Sequence, residues 1–354
     1  RPINRTTPAI LLGIFVIFPR HLPAPARYIR PPPPRLPQPS VHRKQQASVV
    51  ASQPPLASLE KTSKPKPLAM AAGNGIVVVF DFDKTIIDVD SDNWVVDSLG
   101  LTEEFERLLP TMPWNTLMDT MMGELHARGR TLGDVAAALR AAPIDPRVPA
   151  AIRAAAALGC DLRVLSDANA FFIETVLEHH GLRGCFTEVN TNPSRVDAAG
   201  RLRIEPYHDF LRGAPHGCGV GTCPPNMCKG QVLDRILREA AAAPPGGRKP
   251  RVIYLGDGRG DYCPALRLAR EDFVMPRRGY PVWDLICEDP ARVQAEVHPW
   301  ADGAEMEATL LGLVRRALVE DAAALLPLDC KLESSMPAAA QDGGMPIMPL
   351  GVKN

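Results

Sequence analysis

The run Ile76-Val77-Val78-Val79-Phe80, broken by Asp81-Phe82-Asp83-Lys84-Thr85, constrains this chain more than any other feature. Short, apolar and rich in β-branched residues, it reads as a buried strand. Side chains two apart on a strand share a face, so Asp81 and Asp83 would project together from its carboxyl end. Neighbouring carboxylates resist joint ionisation, so such a pair either binds a cation or divides into one base and one acid. Two solvated aspartates at a sheet edge are the plain alternative, and the rest of the chain decides between them.

Strand signals return at residues 161–165 and 252–255, each followed by polar residues and then a helical pattern. This alternation predicts an α/β fold: a Rossmann-like parallel sheet with helices on both faces. Ligands bind beyond the carboxyl ends of such strands, where each polar cluster falls. Residues 92–158 read as successive helices, too long a connection for a simple crossover, and predict an inserted helical cap over 91–149. The core is expected at 76–90 and 150–322. Asn192-Pro193, Ala199-Gly200 and the alternating Arg201-Leu202-Arg203-Ile204 predict a β-hairpin flap within 187–207.

Composition closes off several functions. The 354 residues carry no formal net charge, so neither nucleic acid nor an anionic membrane is an expected partner. The eight cysteines lack framework spacing, and Cys160, Cys185, Cys263, Cys287 and Cys330 stand alone, which suits a reducing compartment. Residues 1–69 hold one acidic residue, Glu60, and the run Pro31-Pro32-Pro33-Pro34, and read as a disordered leader over about residues 1–70. The apolar run 9–18 is too short to span a bilayer. Met70-Ala71-Ala72-Gly73 looks like a start, which would make the leader upstream sequence and the cytoplasm the expected location. A genuine leader would instead suit plastid import. Residues 327–354 read as a disordered tail.

Four constellations follow one another along the chain: Asp81/Asp83 with Thr85; Ser166 before Asp167-Ala168-Asn169; Lys229 within Asn226-Met227-Cys228-Lys229-Gly230; and Gly256-Asp257-Gly258-Arg259-Gly260-Asp261. In order and content they resemble the haloacid dehalogenase-like phosphatase superfamily over residues 76–319. The longer strings Asp81 to Asp88, Leu165 to Asn169 and Pro225 to Lys229 resemble its phosphoethanolamine/phosphocholine phosphatase family. Plant members of that family include pyrophosphate-specific phosphatases and relatives of thiamine monophosphate phosphatase.

The resemblance implies a Mg²⁺-dependent phosphatase. Asp81 would be the nucleophile that forms an aspartyl-phosphate, and Asp83 the general acid and base. Mg²⁺ would be held by the carboxylates of Asp81 and Asp257 and the main-chain oxygen of Asp83, with Asp261 orienting metal-bound water. Thr85, Ser166 and Lys229 would bind phosphate, and Asp92 and Asp167 would contact the leaving group. Read singly, Lys229 is a solvated lysine at a helix start, and Ser166 and Asp92 are helix caps. A cation at a helix start opposes the helix dipole and calls for a compensating anion. Asp83-Lys84-Thr85 also evokes the phosphorylation site of ion-pumping ATPases, a reading that needs membrane spans the sequence lacks.

The expected substrate is a small phosphorylated metabolite, since a cap blocks macromolecules. Residues 91–97 and 110–114 look most like the pyrophosphate-specific group, which makes inorganic pyrophosphate the first choice. Thiamine monophosphate, phosphocholine and phosphoethanolamine follow. A catalytically silent metal- or redox-binding module is the rival, and it should lack one of Asp81, Asp83, Lys229 or Asp257. All four are present. Cys218, Cys223 and Cys228 with His216 or His208 could ligate zinc, but four residues separate the first two cysteines where the family usually has two. The spacing favours a thiol-bearing, oxidation-sensitive substrate loop.

Overall fold

The computed structural model describes residues 74–242 and 249–325, so the expected leader, the tail and Cys330 lie outside the described residues. Among the described residues eight strands form in chain order: β1 (Ile76–Phe80), β2 (Asp161–Asn169), β3 (Phe186–Asn192), β4 (Ser194–Val196), β5 (Leu202–Ile204), β6 (Arg251–Gly256), β7 (Phe273–Pro276) and β8 (Glu296–Val297). Six of them make one sheet in the order β3-β2-β1-β6-β7-β8, with every pairing parallel. The expected α/β class is therefore the one observed.

Pleating explains why β1 is apolar throughout. Ile76, Val78 and Phe80 point into one hydrophobic layer, with Ile152, Phe172, Val176, Leu310 and Val314. Val77 and Val79 point into the other, with Leu233, Ile236, Ala265, Val282 and Ile286. The helices carrying these partners are α5 (Arg147–Ala157), α6 (Ala170–His179) and α10 (Gly303–Leu325) on the first face. On the second lie α7 (Lys229–Ala242), α8 (Tyr262–Ala265) and α9 (Pro281–Glu288).

Four further helices stand between β1 and α5: α1 (Ser91–Ser98), α2 (Thr102–Leu108), α3 (Trp114–Ala127) and α4 (Leu132–Arg140). A reciprocal capping box between Thr131 and Asp134 starts α4. The Trp94 indole N–H donates to the Ala138 carbonyl at 2.7 Å and ties α1 to α4. α5 packs along α10 with the sheet layers, so the sheet-bound helices resume at Arg147, inside the span expected for the cap.

The predicted hairpin is the antiparallel pair β4 and β5. Its expected span was too wide: residues 186–192 form β3, an edge strand whose half-polar surface masks its place in the sheet. Asp119 on α3 accepts from Arg203 Nε and Nη2 at 2.9 and 2.8 Å and from the Ile204 amide at 2.9 Å. Hairpin and helical layer are thus joined by a fork of charge-assisted bonds.

Chain order reverses around β1: β2 and β3 lie to one side, and β6 to β8 to the other. That switch point is where an open parallel sheet leaves a crevice beyond its carboxyl ends. Asp81 and Asp257 sit there, directly after β1 and β6, and Ser166 lies within β2 where its pairing with β3 is interrupted after Leu165.

Candidate active site

The chain leaves β1 abruptly. Asp81 still donates its amide to the Leu255 carbonyl at 2.9 Å, but Ile86 and Ile87 already turn back to the Phe82 carbonyl. Lys84 takes φ 51°, the left-handed region that a non-glycine residue rarely occupies. Such a residue concentrates strain at a functional turn. The turn sends the two aspartates to different neighbours.

Asp81 is buried, and its Oδ2 lies 2.9 Å from Lys229 Nζ. The same ammonium lies 2.9 Å from Asp261 Oδ1 and 3.9 Å from Asp167 Oδ1. Lys229 is the first residue of α7, so the anions needed to offset a cation at a helix start are Asp81 and Asp261. Asp261 is fixed further by the Tyr254 hydroxyl at 2.7 Å and the Gly258 amide at 2.9 Å. Asp83 faces the other way. It accepts from the Ser91 amide at 2.9 Å and lines a cavity of about 120 Å³ with Asp90, Asp92, Trp114, Asp167 and Ala168.

Electrostatics separate these groups. Burial raises the Asp81 pKa well above its ordinary range and repulsion from Asp261 adds to it, while Lys229 opposes. Asp83 is raised by burial and then by Asp90 and Asp92. Asp257 is pushed up to about 7 by burial and Asp261, against the pull of Lys84, Lys229 and Arg277. Asp92 is pushed up to about 8 by burial and Asp90. Burial works against the charge of Lys229, but Asp261 and Asp81 outweigh it and hold its pKa above the ordinary value.

Carboxylate oxygens of Asp81, Asp257 and Asp261 all lie within 4.8 Å of one another. Hard oxygen donors at one point, those of Asp81 and Asp257 with proton affinities raised by burial and then by the charge of Asp261, fit a small divalent cation such as Mg²⁺. Asp261, expected in an outer role, has Oδ1 engaged by Lys229 and Tyr254 and Oδ2 by the Gly258 amide. The linkage has a definite sign. Because the folded pKa values of Asp257 and Asp92 are raised, the stability they contribute to the metal-free protein is present at acid pH. It is lost as pH rises from the ordinary 3.8 through about 7 and about 8. Melting temperature in EDTA should fall across this window, and the gain from added Mg²⁺ should grow, because the ligands must shed protons to bind. Thermal melts from pH 5 to pH 9 check this, and a Mg²⁺ shift that shrinks with pH would contradict it.

The remaining expected residues also gather here. Ser166 is buried, and its oxygen accepts the Ala168 amide at 3.2 Å. Thr85 is buried with no partner for its hydroxyl among the described residues. The capping alternatives fail: Asn169 caps α6, and Asp90 caps α1. Asp92 instead holds the Trp114 indole N–H at 2.6 Å and leaves its other oxygen without a partner.

Sequence reading missed Tyr254, Asp90, Trp114 and Arg277. Tyr254, the one hydroxyl inside an otherwise apolar strand, was the available signal. Arg277 reaches the Lys84 carbonyl at 2.5 Å and Asp88 at 3.1 Å from a distant loop, which no local pattern reveals. Gly256 stood in the fourth constellation without a role of its own. A Cβ there would meet the Asp261 carboxyl carbon at 2.4 Å. Gly256→Ala is therefore expected to lower turnover at least about tenfold and stability by about 1–3 kcal/mol, as overpacking does. Steady-state kinetics and a denaturant titration test it.

A family model for "Putative Phosphatase" matches residues 76–314. The chain belongs to that phosphatase family. Among its curated relatives, "Inorganic pyrophosphatase 1" of Arabidopsis thaliana is 52% identical over 77% of this chain and 88% of its own length. "Inorganic pyrophosphatase 2" of the same plant is 55% identical over 70% of this chain and 87% of its own. The "Thiamine phosphate phosphatase-like protein" of Arabidopsis thaliana is 50% identical over 70% and 98%. The phosphatase-family match spans the sheet and all four site constellations.

Proposed function

We propose that the chain is a Mg²⁺-dependent phosphatase that hydrolyses inorganic pyrophosphate through an aspartyl-phosphate on Asp81. The convergence of Asp81, Lys229, Asp257 and Asp261 at the sheet's switch point, with Asp83 on the adjoining cavity wall, carries this reading. Asp81 and Asp257 would hold the ion with the main-chain oxygen of Asp83, and Asp261 would orient its bound water. Bound there, Mg²⁺ supplies positive charge against the anionic phosphoryl oxygens.

The protein's own groups do the rest. Lys229 pulls against the burial that raises the proton affinity of Asp81, and presents its ammonium to the transferring group. Asp81 attacks phosphorus, and the bond to the leaving oxygen breaks. Asp83, kept protonated by burial and by Asp90 and Asp92, delivers its proton to that oxygen. The resulting Asp83 carboxylate then takes a proton from water, which attacks the phosphorus and releases phosphate and free Asp81. Ser166 retains its hydroxyl proton for a phosphoryl oxygen.

Helices α1–α4 and the β4–β5 hairpin serve in this reading as the cap that confines the reaction to small substrates. Pyrophosphate is favoured by the two pyrophosphatase relatives at 52% and 55% identity. The acidic cavity wall suits a metal-complexed or an amine-bearing leaving group. Asp92, carrying a proton at neutral pH and with one oxygen unpartnered, can donate to a phosphate oxygen. Unpaired thiols suit a reducing compartment, and we adopt the cytoplasm.

Phosphate release from pyrophosphate, thiamine monophosphate, phosphocholine and phosphoethanolamine, with Mg²⁺ and with EDTA, is the test. Pyrophosphate should lead in kcat/KM by at least about tenfold, the discrimination that a single apolar contact already supplies. A preference for an organic phosphate would overturn the substrate assignment, and turnover in EDTA would overturn the metal requirement.

A further inference from the structure

The loop between β5 and α7 brings Cys218 and Cys223 to Cys228, and the fold adds Cys263 from α8. Cys263 therefore does not stand alone, as its position in the sequence suggests. The expected alternative fourth partners turn elsewhere: His216 Nε2 lies 3.1 Å from the Pro224 carbonyl, and His208 Nε2 lies 2.5 Å from that of Ala214.

The sulfurs form a closed ring. Cys218 lies 3.6 Å from Cys223 and from Cys263, and Cys228 lies 3.7 Å from each of the same two. Four sulfurs placed about 2.3 Å from a central zinc form a tetrahedron with edges of about 3.8 Å. The observed edges match that figure. Every sulfur has two neighbours at 3.6 or 3.7 Å, so no pair is singled out as a disulfide would require at about 2.05 Å. Edges this short also leave room for one ion and not for a multi-iron cluster.

The surroundings suit thiolates. The Gln231 amide donates to Cys228 Sγ at 3.4 Å, and the Arg267 guanidinium lies 3.9 Å from Cys218 Sγ. Gly230 lets α7 start against the cluster, since a Cβ there would sit 2.5 Å from Cys263 Sγ. Residues 205–228 contain no helix or strand, and a long irregular segment of this kind needs something to hold it.

We propose that Cys218, Cys223, Cys228 and Cys263 bind one structural zinc ion. Four thiolates leave no open position for a reacting ligand, so the site is structural. Cys228 precedes Lys229 directly, and Cys263 follows Asp261 by two residues. The ion thereby clasps the two segments whose Lys229–Asp261 contact is described above. The metal assignment itself stands apart from the phosphatase reading.

The test uses the full chain, produced with zinc in the medium and purified under reducing conditions. Elemental analysis and native mass spectrometry should find one zinc per chain. Replacement by Co²⁺ should give thiolate-to-cobalt charge-transfer bands and the intense visible bands of a tetrahedral site, which a carboxylate site does not produce. Cys263→Ser should lose the metal, while Asp81→Asn should keep it. Should Cys263→Ser fail to fold, the cobalt spectrum of the unaltered chain still decides. Zinc-free protein with four alkylatable thiols, iron in place of zinc, or a mass deficit from disulfides would each overturn the proposal.

Discussion

Asp81→Asn should abolish phosphate release, with a loss of at least about 10⁴-fold in kcat, the scale seen when a nucleophile that acts as part of a unit is removed. The amide keeps the shape but cannot attack phosphorus to form the acyl-phosphate, and it cannot draw the Lys229 ammonium as a carboxylate does. The variant should nonetheless fold. Asp81 is buried beside Asp261 and Asp257, and its proton affinity is raised by burial and by those charges, so the native carboxylate is an electrostatic cost to the metal-free protein. Removing one charge of a surplus should leave the melting temperature in EDTA equal or higher, while the stabilisation by Mg²⁺ shrinks. Single-turnover phosphate release and paired melts report both. An Asp81→Asn protein with wild-type turnover would refute the covalent mechanism.

Lys229→Met should be the opposite case, losing activity and stability together. It removes the ammonium that lies 2.9 Å from both Asp81 and Asp261, in a site where all three side chains are almost fully buried. Stranding a buried charge by deleting its partner costs about 3–5 kcal/mol. Turnover should fall about 10²–10³-fold, as it does when a group stabilising the transition state is removed. Arginine should not rescue, because a planar fork cannot occupy the place of a compact ammonium between two carboxylates. Asp81→Asn placed on top of Lys229→Met should restore part of the lost stability, a non-additivity that a double-mutant cycle measures. Additive effects would mean that the two side chains do not share one electrostatic unit.

The sequence made the sheet and the chemistry of its edge legible because both are local. A β-branched run followed at once by a polar cluster marks a parallel strand ending at a site, and β1, β2 and β6 each carry that signature. What stayed hidden depended on partners far apart in the chain. β3 reads as half of a hairpin because one of its surfaces is polar, and its pairing with β2 is not written in its own residues. Likewise, Asp261 looks like an outlying carboxylate until β6 and α7 bring it against Lys229. Cys263 lies 35 residues from Cys228, beyond any motif spacing, and only the docking of α8 on α7 makes it a neighbour. Asp92 is the second residue of α1 and reads as a cap, a role that Asp90 in fact takes.

The doubly engaged ammonium of Lys229 also bears on how a turnover ends. With Asp81 and Asp261 already at contact distance, the departure of a spent dianion leaves no bare cation behind, since the protein's own side chains close over the charge. Orthophosphate must compete with these tethered carboxylates for the same donor, so product inhibition should be weak and the cycle free to restart.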